Sequence, residues 1–104
     1  MEIIETSVFT KIIQSLLADE EYRILQSELV ETPDLGAIIP RSGGLRKIRW
    51  KTVGQGKRGG IRVIYYWHIS FKTILLLYAY PKSKKSDLTS RQLKALKMLI
   101  EENP

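Results

Sequence analysis

Three strand-patterned segments between residues 45 and 80 require this chain to build a β-sheet. Basic and apolar side chains alternate over residues 45–51, which is typical of a strand with one face in water. Residues 61–69 place large apolar side chains on one face and Arg62 with Tyr66 on the other. Residues 73–80 are apolar on both faces, which predicts a strand covered on both sides and central in the sheet. A glycine-rich loop at 54–60 and a turn at 70–72 join the three strands.

Two helices are predicted before these strands. Apolar residues recur at helical spacing over residues 7–17, and Thr6 is suited to cap that helix. Asp19 is a candidate N-cap for a second helix, which should end near Thr32 because Pro33 disfavours helical geometry in the preceding residue. The two segments therefore predict a helical hairpin that packs against the sheet.

A third helix is predicted at the end of the chain. Thr89 and Gln92 have the spacing of a capping box, and Leu88 with Leu93 has that of a hydrophobic staple. Short strands at 2–5 and 37–39 complete the order β-α-α-β-β-β-β-α. We expect a single domain over residues 1–104 with an α+β fold: a mostly antiparallel twisted sheet, the helical hairpin on one face, and a C-terminal helix.

The charge distribution is strongly uneven along the chain. Residues 1–40 contain two basic and eight acidic side chains, residues 41–86 contain twelve basic and none acidic, and residues 87–104 contain three of each. A localised positive field of this kind attracts phosphate backbones or anionic headgroups. The longest apolar run has seven residues, far short of the roughly 20 that cross a bilayer, so a nucleic acid is the expected polyanion. The acidic start of the chain is unlike a signal peptide, and we expect a cytoplasmic protein.

Several kinds of chemistry find no support in the sequence. There is no cysteine, and His68 is the only histidine, so we expect no metal site and no cofactor. Gly54, Gly56 and Gly59 match the letters of a dinucleotide fingerprint, but the loop leads into a strand and no acidic residue follows within the basic stretch. Arg58 stands where a phosphate-binding loop requires serine or threonine. Paired-carboxylate catalysis is not expected, since the basic face contains no carboxylate.

The basic face offers cations instead. If the hairpin closes through its glycine loop, Lys47, Arg49 and Arg62 fall on one side of adjacent strands, and two basic loops rim the same surface. Such a cluster can bind phosphates, or it can stabilise the extra negative charge of a phosphoryl transition state while the RNA 2′-hydroxyl acts as the nucleophile. The residues alone leave binding and cleavage open, and they leave Tyr66 either packed or stacked on a base.

Three blocks of the sequence carry a resemblance to a known family: Leu45-Arg46-Lys47-Ile48-Arg49, the block from Gly56 to Tyr66, and Tyr80-x-Lys82 followed by Ser86-Asp87-Leu88-Thr89. Together they resemble the HigB-like branch of the RelE/ParE toxin superfamily. The resemblance implies a RelE-like fold and an endoribonuclease that cuts messenger RNA in the ribosomal A site. It also implies a cognate antitoxin of the HigA kind, with a helix-turn-helix domain, through which the complex binds operator DNA.

The resemblance also implies site residues. The strand lysines of RelE fall on Lys47 and Arg49, and the arginine of the next strand falls on Arg62. RelE has a further arginine after its last strand, and Lys82 or Lys84 stands nearest to that position here. RelE also has a tyrosine near the end of its chain, which aligns with Thr89. We therefore consider Tyr66 or a lysine for proton transfer. The predicted catalytic residues are thus Lys47, Arg49, Arg62, Tyr66, Lys82 and Lys84, and the predicted RNA-binding residues are Arg46, Lys57, Arg58 and Lys85.

Two other functions compete with ribosome-dependent cleavage. A ParE-like toxin would inhibit DNA gyrase without cutting RNA, and a non-catalytic RNA-binding module would bind in a salt-sensitive manner without cleavage products. We expect Arg62 to be exposed, so that its replacement by alanine would abolish toxicity and leave the fold intact.

Overall fold

The computed structural model describes residues 1–51, 60–84 and 87–102, which form three helices and a five-stranded sheet. The order β-α-α-β-β-β-β-α and the α+β class are as the sequence predicts. The elements are β1 (Glu2–Glu5), α1 (Ser7–Leu16), α2 (Asp19–Glu31), β2 (Ala37–Ile38), β3 (Leu45–Trp50), β4 (Ile61–His68), β5 (Thr73–Pro81) and α3 (Ser90–Glu102). No helix among the described residues is both long and apolar enough to cross a membrane.

The strands are arranged in the order β1-β5-β4-β3-β2. Three neighbouring pairs are antiparallel, and β1 pairs with β5 in parallel. The middle position belongs to β4, whereas β5, which we expected to be central, is an interior strand next to it. Both strands are flanked on each side, which explains why each is apolar over most of its length.

An irregularity in β5 determines which side chains face each other. Ile64 pairs with Tyr78, but the next residue of β4, Tyr65, pairs with Leu76, so Leu77 is an extra residue in the strand. A bulge of this kind bends the strand and resets the alternation of faces. As a result, both Tyr78 and Tyr80 lie on the same face as their partners Ile64 and Arg62.

The helical hairpin covers one face of the sheet. Thr6 caps α1 as predicted, its hydroxyl accepting from the amide of Phe9 at 3.1 Å. The second cap differs from the prediction: Ala18 is the N-cap of α2, and Asp19 is its first helical residue, where its charge favours the helix dipole. The hairpin and the sheet enclose the larger core, built around Phe9, Ile13, Leu17, Leu25, Leu29, Ile48, Ile61, Val63, Tyr65, Ile74, Leu76 and Ala79.

The opposite face of the sheet carries α3. Its predicted capping box is present, with Thr89 N donating to Gln92 Oε1 at 3.0 Å and Gln92 N donating to Thr89 Oγ1 at 3.1 Å. A smaller core of Leu45, Ile64, Leu77, Tyr80, Leu96 and Ile100 lies beneath the helix. Met98 and Leu99 on the same helix are exposed.

Tyr65 connects the sheet to the segment that leads into β2. Its ring is buried, and its hydroxyl donates to Pro33 O at 2.7 Å and accepts from Gly36 N at 2.9 Å. We expect Tyr65→Phe to lower the free energy of unfolding by about 2 kcal/mol, since both backbone groups lose their partner while buried. The hydroxyl of Tyr66 has no hydrogen bond to the described residues. The control Tyr66→Phe should therefore change the free energy of unfolding by less than about 0.5 kcal/mol. Urea denaturation of both variants measures this, and equal destabilisation would contradict it.

Candidate active site

The register of β3 and β4 brings three predicted cations together. Arg49 and Arg62 are direct cross-strand partners, and partners in an antiparallel pair point to the same face. Lys47 lies two residues before Arg49 on β3, so it shares that face. We call Lys47, Arg49 and Arg62 the cationic cluster. It lies on the face of the sheet that carries α3, opposite the helical hairpin.

The position of these charges is unfavourable for the fold. Like charges directly opposite each other on neighbouring strands destabilise a sheet. Sequences that fold well satisfy local rules nearly everywhere, and exceptions are concentrated at functional sites. The pairing of two arginines is therefore evidence for a ligand of negative charge rather than a device for stability.

Asp87 brings a carboxylate to the cationic cluster. Its Oδ1 accepts a hydrogen bond from Lys47 Nζ at 2.7 Å, in an ion pair whose aspartate side chain is 76% exposed. The bond to Lys47, and the charges of Arg49 and Arg62 beyond it, lower the pKa of the Asp87 carboxyl. The expectation that the basic face would have no carboxylate was wrong, because Asp87 lies one residue beyond the acid-free stretch and the chain returns it to the sheet.

Arg62 is buried rather than exposed. Only 5% of its surface is accessible, and its Nη1 donates to Ile61 O at 3.3 Å. The sequence expectation of an exposed arginine was wrong, because β4 is the middle strand of the sheet and has a neighbouring strand on each side. A guanidinium held among neighbours in this way has a defined position, which a surface arginine would lack.

Tyr80 is a member of the site that the sequence analysis did not assign. It pairs with Arg62 across β4 and β5 and is 3% exposed. Burial raises the pKa of its phenol, and the charge of Asp87 raises it further, while Arg62 acts in the opposite direction. The hydroxyl is therefore protonated at neutral pH and can donate a hydrogen bond. Tyr80 lay in the run that we expected to be wholly packed, and only the register of the sheet distinguishes it.

A cavity of about 420 Å³ opens beside the cationic cluster. Lys47, Tyr80 and Asp87 form its polar wall. The remaining wall is largely apolar and comes from the β2 segment and the start of α3: Ala37, Ile38, Ile39, Pro40, Leu88 and Leu93. Apolar walls with a few converging polar groups are typical of a ligand site. We call this space the first cavity.

The remaining predicted site residues are not part of the cationic cluster. Tyr66 shares its face but stands four residues from Arg62, about 13 Å along the strand. Arg46 lies on the opposite face, where its Nη1 donates to Gly36 O at 2.8 Å. Lys82 and Lys84 are exposed directly after β5, at the end of the sheet where Arg62 lies. Lys57, Arg58 and Lys85 are outside the described residues.

No metal-binding group is found in the described part of the chain. Residues 1–51, 60–84 and 87–102 contain no cluster of three or more His, Asp or Glu side chains that could hold an ion. His68 instead contacts two aromatic rings, that of Tyr66 at 5.8 Å and that of Phe71 at 4.3 Å between centroids. The described side chains that meet at the site are the three cations, the phenol of Tyr80 and the carboxylate of Asp87.

Comparison with known proteins points to one family. A family model described as the RelE toxin of the RelE/RelB toxin–antitoxin system matches residues 1–103. Among solved structures, an arginine-to-alanine double mutant of the E. coli toxin RelE in the free state superimposes with a TM-score of 0.59. The two sequences are 13% identical, and the match covers 82% of this chain and 86% of the other. At that identity the structural match supports the fold, and the family model carries the assignment.

Proposed function

The chain belongs to the RelE toxin family, and on this basis we propose that it is an endoribonuclease that cleaves messenger RNA on the ribosome. The observation that supports cleavage is the convergence of Lys47, Arg49 and Arg62 on one face, beside Tyr80 and Asp87. RNA carries its own nucleophile, the 2′-hydroxyl. A protein that aligns this group and neutralises the phosphate can therefore accelerate cleavage without a cofactor.

The proposed reaction is an attack of the 2′-oxygen on the adjacent phosphorus. The P–O5′ bond breaks, a 2′,3′-cyclic phosphate forms, and the 2′-proton leaves as the 5′-oxygen gains one. Negative charge on the non-bridging oxygens grows in the transition state, and donors already aimed at that position lower the barrier. We assign Arg62 and Arg49 to these oxygens. Tyr80, which stays protonated, supplies a further donor at the edge of the first cavity.

Asp87 is a weak candidate for the general base. Lys47 and the two arginines lower the pKa of its carboxyl, and a carboxylate with a low pKa accepts a proton poorly. We assign Asp87 a positioning role instead: it holds the Lys47 ammonium at the cluster when no RNA is bound. A phosphate that enters then exchanges with this carboxylate.

This role predicts how Asp87→Asn changes RNA binding. Without the carboxylate, Lys47 is free to contact one more phosphate, so the affinity for RNA should rise. The slope of log K against log[salt] should steepen by about 0.7, the value for one more neutralised phosphate on a single strand. Fluorescence anisotropy with an RNA whose 2′-hydroxyls are methylated measures binding without cleavage. Glu31→Gln, which removes a carboxylate at the end of α2, is the control; equal behaviour of the two variants would contradict the assignment.

The function is tested by inducing the gene in bacteria and mapping RNA 5′ ends. We expect growth arrest and new ends within translated codons, and purified protein should cut a message only when ribosomes are present. Absence of growth arrest and of new ends would refute the proposal. Intact message together with blocked DNA supercoiling would instead identify a ParE-like gyrase inhibitor.

The family description names a toxin–antitoxin system, so an antitoxin is the expected partner. We propose that it is HigA-like, with a helix-turn-helix domain through which the complex binds operator DNA, and that the toxin acts in the cytoplasm. The HigB-like sequence blocks support this choice. The neighbouring open reading frame should encode such a protein, and its co-expression should restore growth.

A further inference from the structure

A second groove lies between the loop before β3 and the exposed side of α3. Its volume is about 570 Å³. Three cations line it, Arg41 from the loop and Lys94 with Lys97 from the helix, together with Pro40, Ser90 and Leu93. None of these lining residues, all within the described part of the chain, is acidic. We call this space the α3 groove. The residues that α3 contributes to it lie outside the sequence blocks that contain the cationic cluster.

The loop side of the α3 groove has a fixed conformation. Ser42 is buried, and its hydroxyl donates to Ile39 O at 2.6 Å and accepts from Leu45 N at 2.9 Å. Arg41 and Gly43 on either side of it have positive φ angles of 59° and 77°. The serine thus closes a tight loop that presents Arg41 on its outer side.

The helical side is also ordered. A β-carbon placed on Gly43 would lie 3.4 Å from Lys97 Cε and 3.6 Å from its Cγ, so the stem of Lys97 passes directly over this glycine. A packed stem leaves the ammonium at the edge of the groove. Lys94 is exposed one turn earlier, and Ser90 opens the helix, whose N-terminus adds positive potential.

The α3 groove adjoins the first cavity. Pro40 and Leu93 line both spaces, and the first cavity contains Lys47, Tyr80 and Asp87. A ligand that leaves the cationic cluster along this path therefore meets apolar surface first and three further cations next. Cations separated by apolar surface suit a single nucleic acid strand, which alternates phosphates with bases.

We propose that the α3 groove binds the backbone of the same RNA strand whose phosphate is cleaved at the cationic cluster. This inference rests on the proposed function and extends it, because it makes the substrate site at least two phosphates long. Arg41, Lys94 and Lys97 contact phosphate oxygens, and a base can lie against Pro40 and Leu93. RNA is favoured over an acidic peptide because the groove adjoins the cavity that contains Lys47 of the cationic cluster.

The test uses the double variant Lys94→Gln/Lys97→Gln, which removes both charges and keeps most of each side-chain stem. Its matched control is Lys11→Gln/Arg23→Gln, two exposed cations on the helical hairpin. Both are titrated with 2′-O-methyl RNA of three and of twelve nucleotides across a range of salt concentrations. For the groove variant with the twelve-nucleotide RNA, we expect the affinity to fall about tenfold at low salt. The slope of log K against log[salt] should decrease by about 0.7 for each phosphate that is no longer neutralised. Binding of the three-nucleotide RNA should not change.

The outcomes separate a failure of the groove inference from a failure of the proposed function. If the groove variant binds the long RNA as the control does, while the wild-type protein cleaves message on ribosomes, the groove inference is wrong and the function stands. If the groove variant loses affinity for the twelve-nucleotide RNA alone, as predicted, but the wild type never cleaves, the function is wrong and the groove stands. If the variant keeps its RNA affinity and loses affinity for poly-glutamate, the groove belongs to an acidic peptide and the RNA inference is overturned.

Discussion

Replacing Arg62 with methionine is expected to reduce RNA cleavage by at least about 100-fold while the protein remains folded. Methionine keeps much of the buried stem, so the change removes charge and hydrogen-bond donors with little effect on packing. It also relieves the repulsion from Arg49, the direct cross-strand partner. Donors placed at a transition-state oxyanion typically contribute two to three orders of magnitude in rate, which sets the expected size.

The measurement is a single-turnover cleavage rate on messenger RNA bound to ribosomes, with thermal unfolding recorded in parallel. Arg23→Met on α2 serves as the control, since Arg23 is exposed and belongs to a helix on the other face. A rate for the Arg62 variant equal to that of the control would remove Arg62 from the reaction. The alanine variant is less informative than the sequence suggested, because truncating a buried side chain leaves a cavity and lowers stability by itself.

The second large effect is expected at Gly60, directly before β4. We expect Gly60→Ala to lower the free energy of unfolding by about 3 kcal/mol or more, from backbone strain and overpacking together. Gly60 has a φ of 61°, and an added β-carbon would lie 2.1 Å from Trp50 O and 2.9 Å from Lys51 Cα. These are backbone atoms at the end of β3 and in the residue that follows it, so they cannot rotate away as a side chain would. Gly60 O also accepts from Lys82 N at 3.1 Å, and the substitution therefore disturbs the ends of three strands.

Gly43 provides a matched control for this prediction. It also has a positive φ, but a β-carbon there would meet only the flexible side chains of Lys97 and Ile100, at 3.4 Å or more. Gly43→Ala should therefore show conformational strain of about 1 to 2 kcal/mol without the backbone clash. Urea denaturation of both variants gives the comparison. Equal destabilisation would mean that the contact with Trp50 is relieved by a movement of the chain.

The face on which the cations lie could be predicted from local sequence. Side chains in a strand alternate between two faces, so the spacing of Lys47, Arg49 and Ile48 is enough to separate the cations from the core. The capping box at Thr89 likewise predicts the start of α3, because it depends on groups only three residues apart. The face on which Arg62 lies could also be predicted from local sequence, because its alternation with Val63 places it on the side away from the hairpin.

The composition of the site depended on contacts between distant parts of the chain. Asp87 reaches Lys47 across forty positions of sequence, and Tyr80 reaches Arg62 only through the pairing of β5 with β4. The extra residue Leu77 determines which face Tyr78 and Tyr80 occupy, and a bulge of this kind has no reliable local signal. The burial of Arg62 follows from the central position of β4, which local patterns do not reveal.

The sequence by itself thus determined the helices, the strands and the side of the sheet that carries positive charge, because each follows from groups a few residues apart. Only the tertiary structure decided that a carboxylate and a phenol join those cations, and that a second basic groove adjoins the cavity beside them. Strand register and the return of the chain over the sheet bring these groups together, and both are settled by packing over the whole molecule.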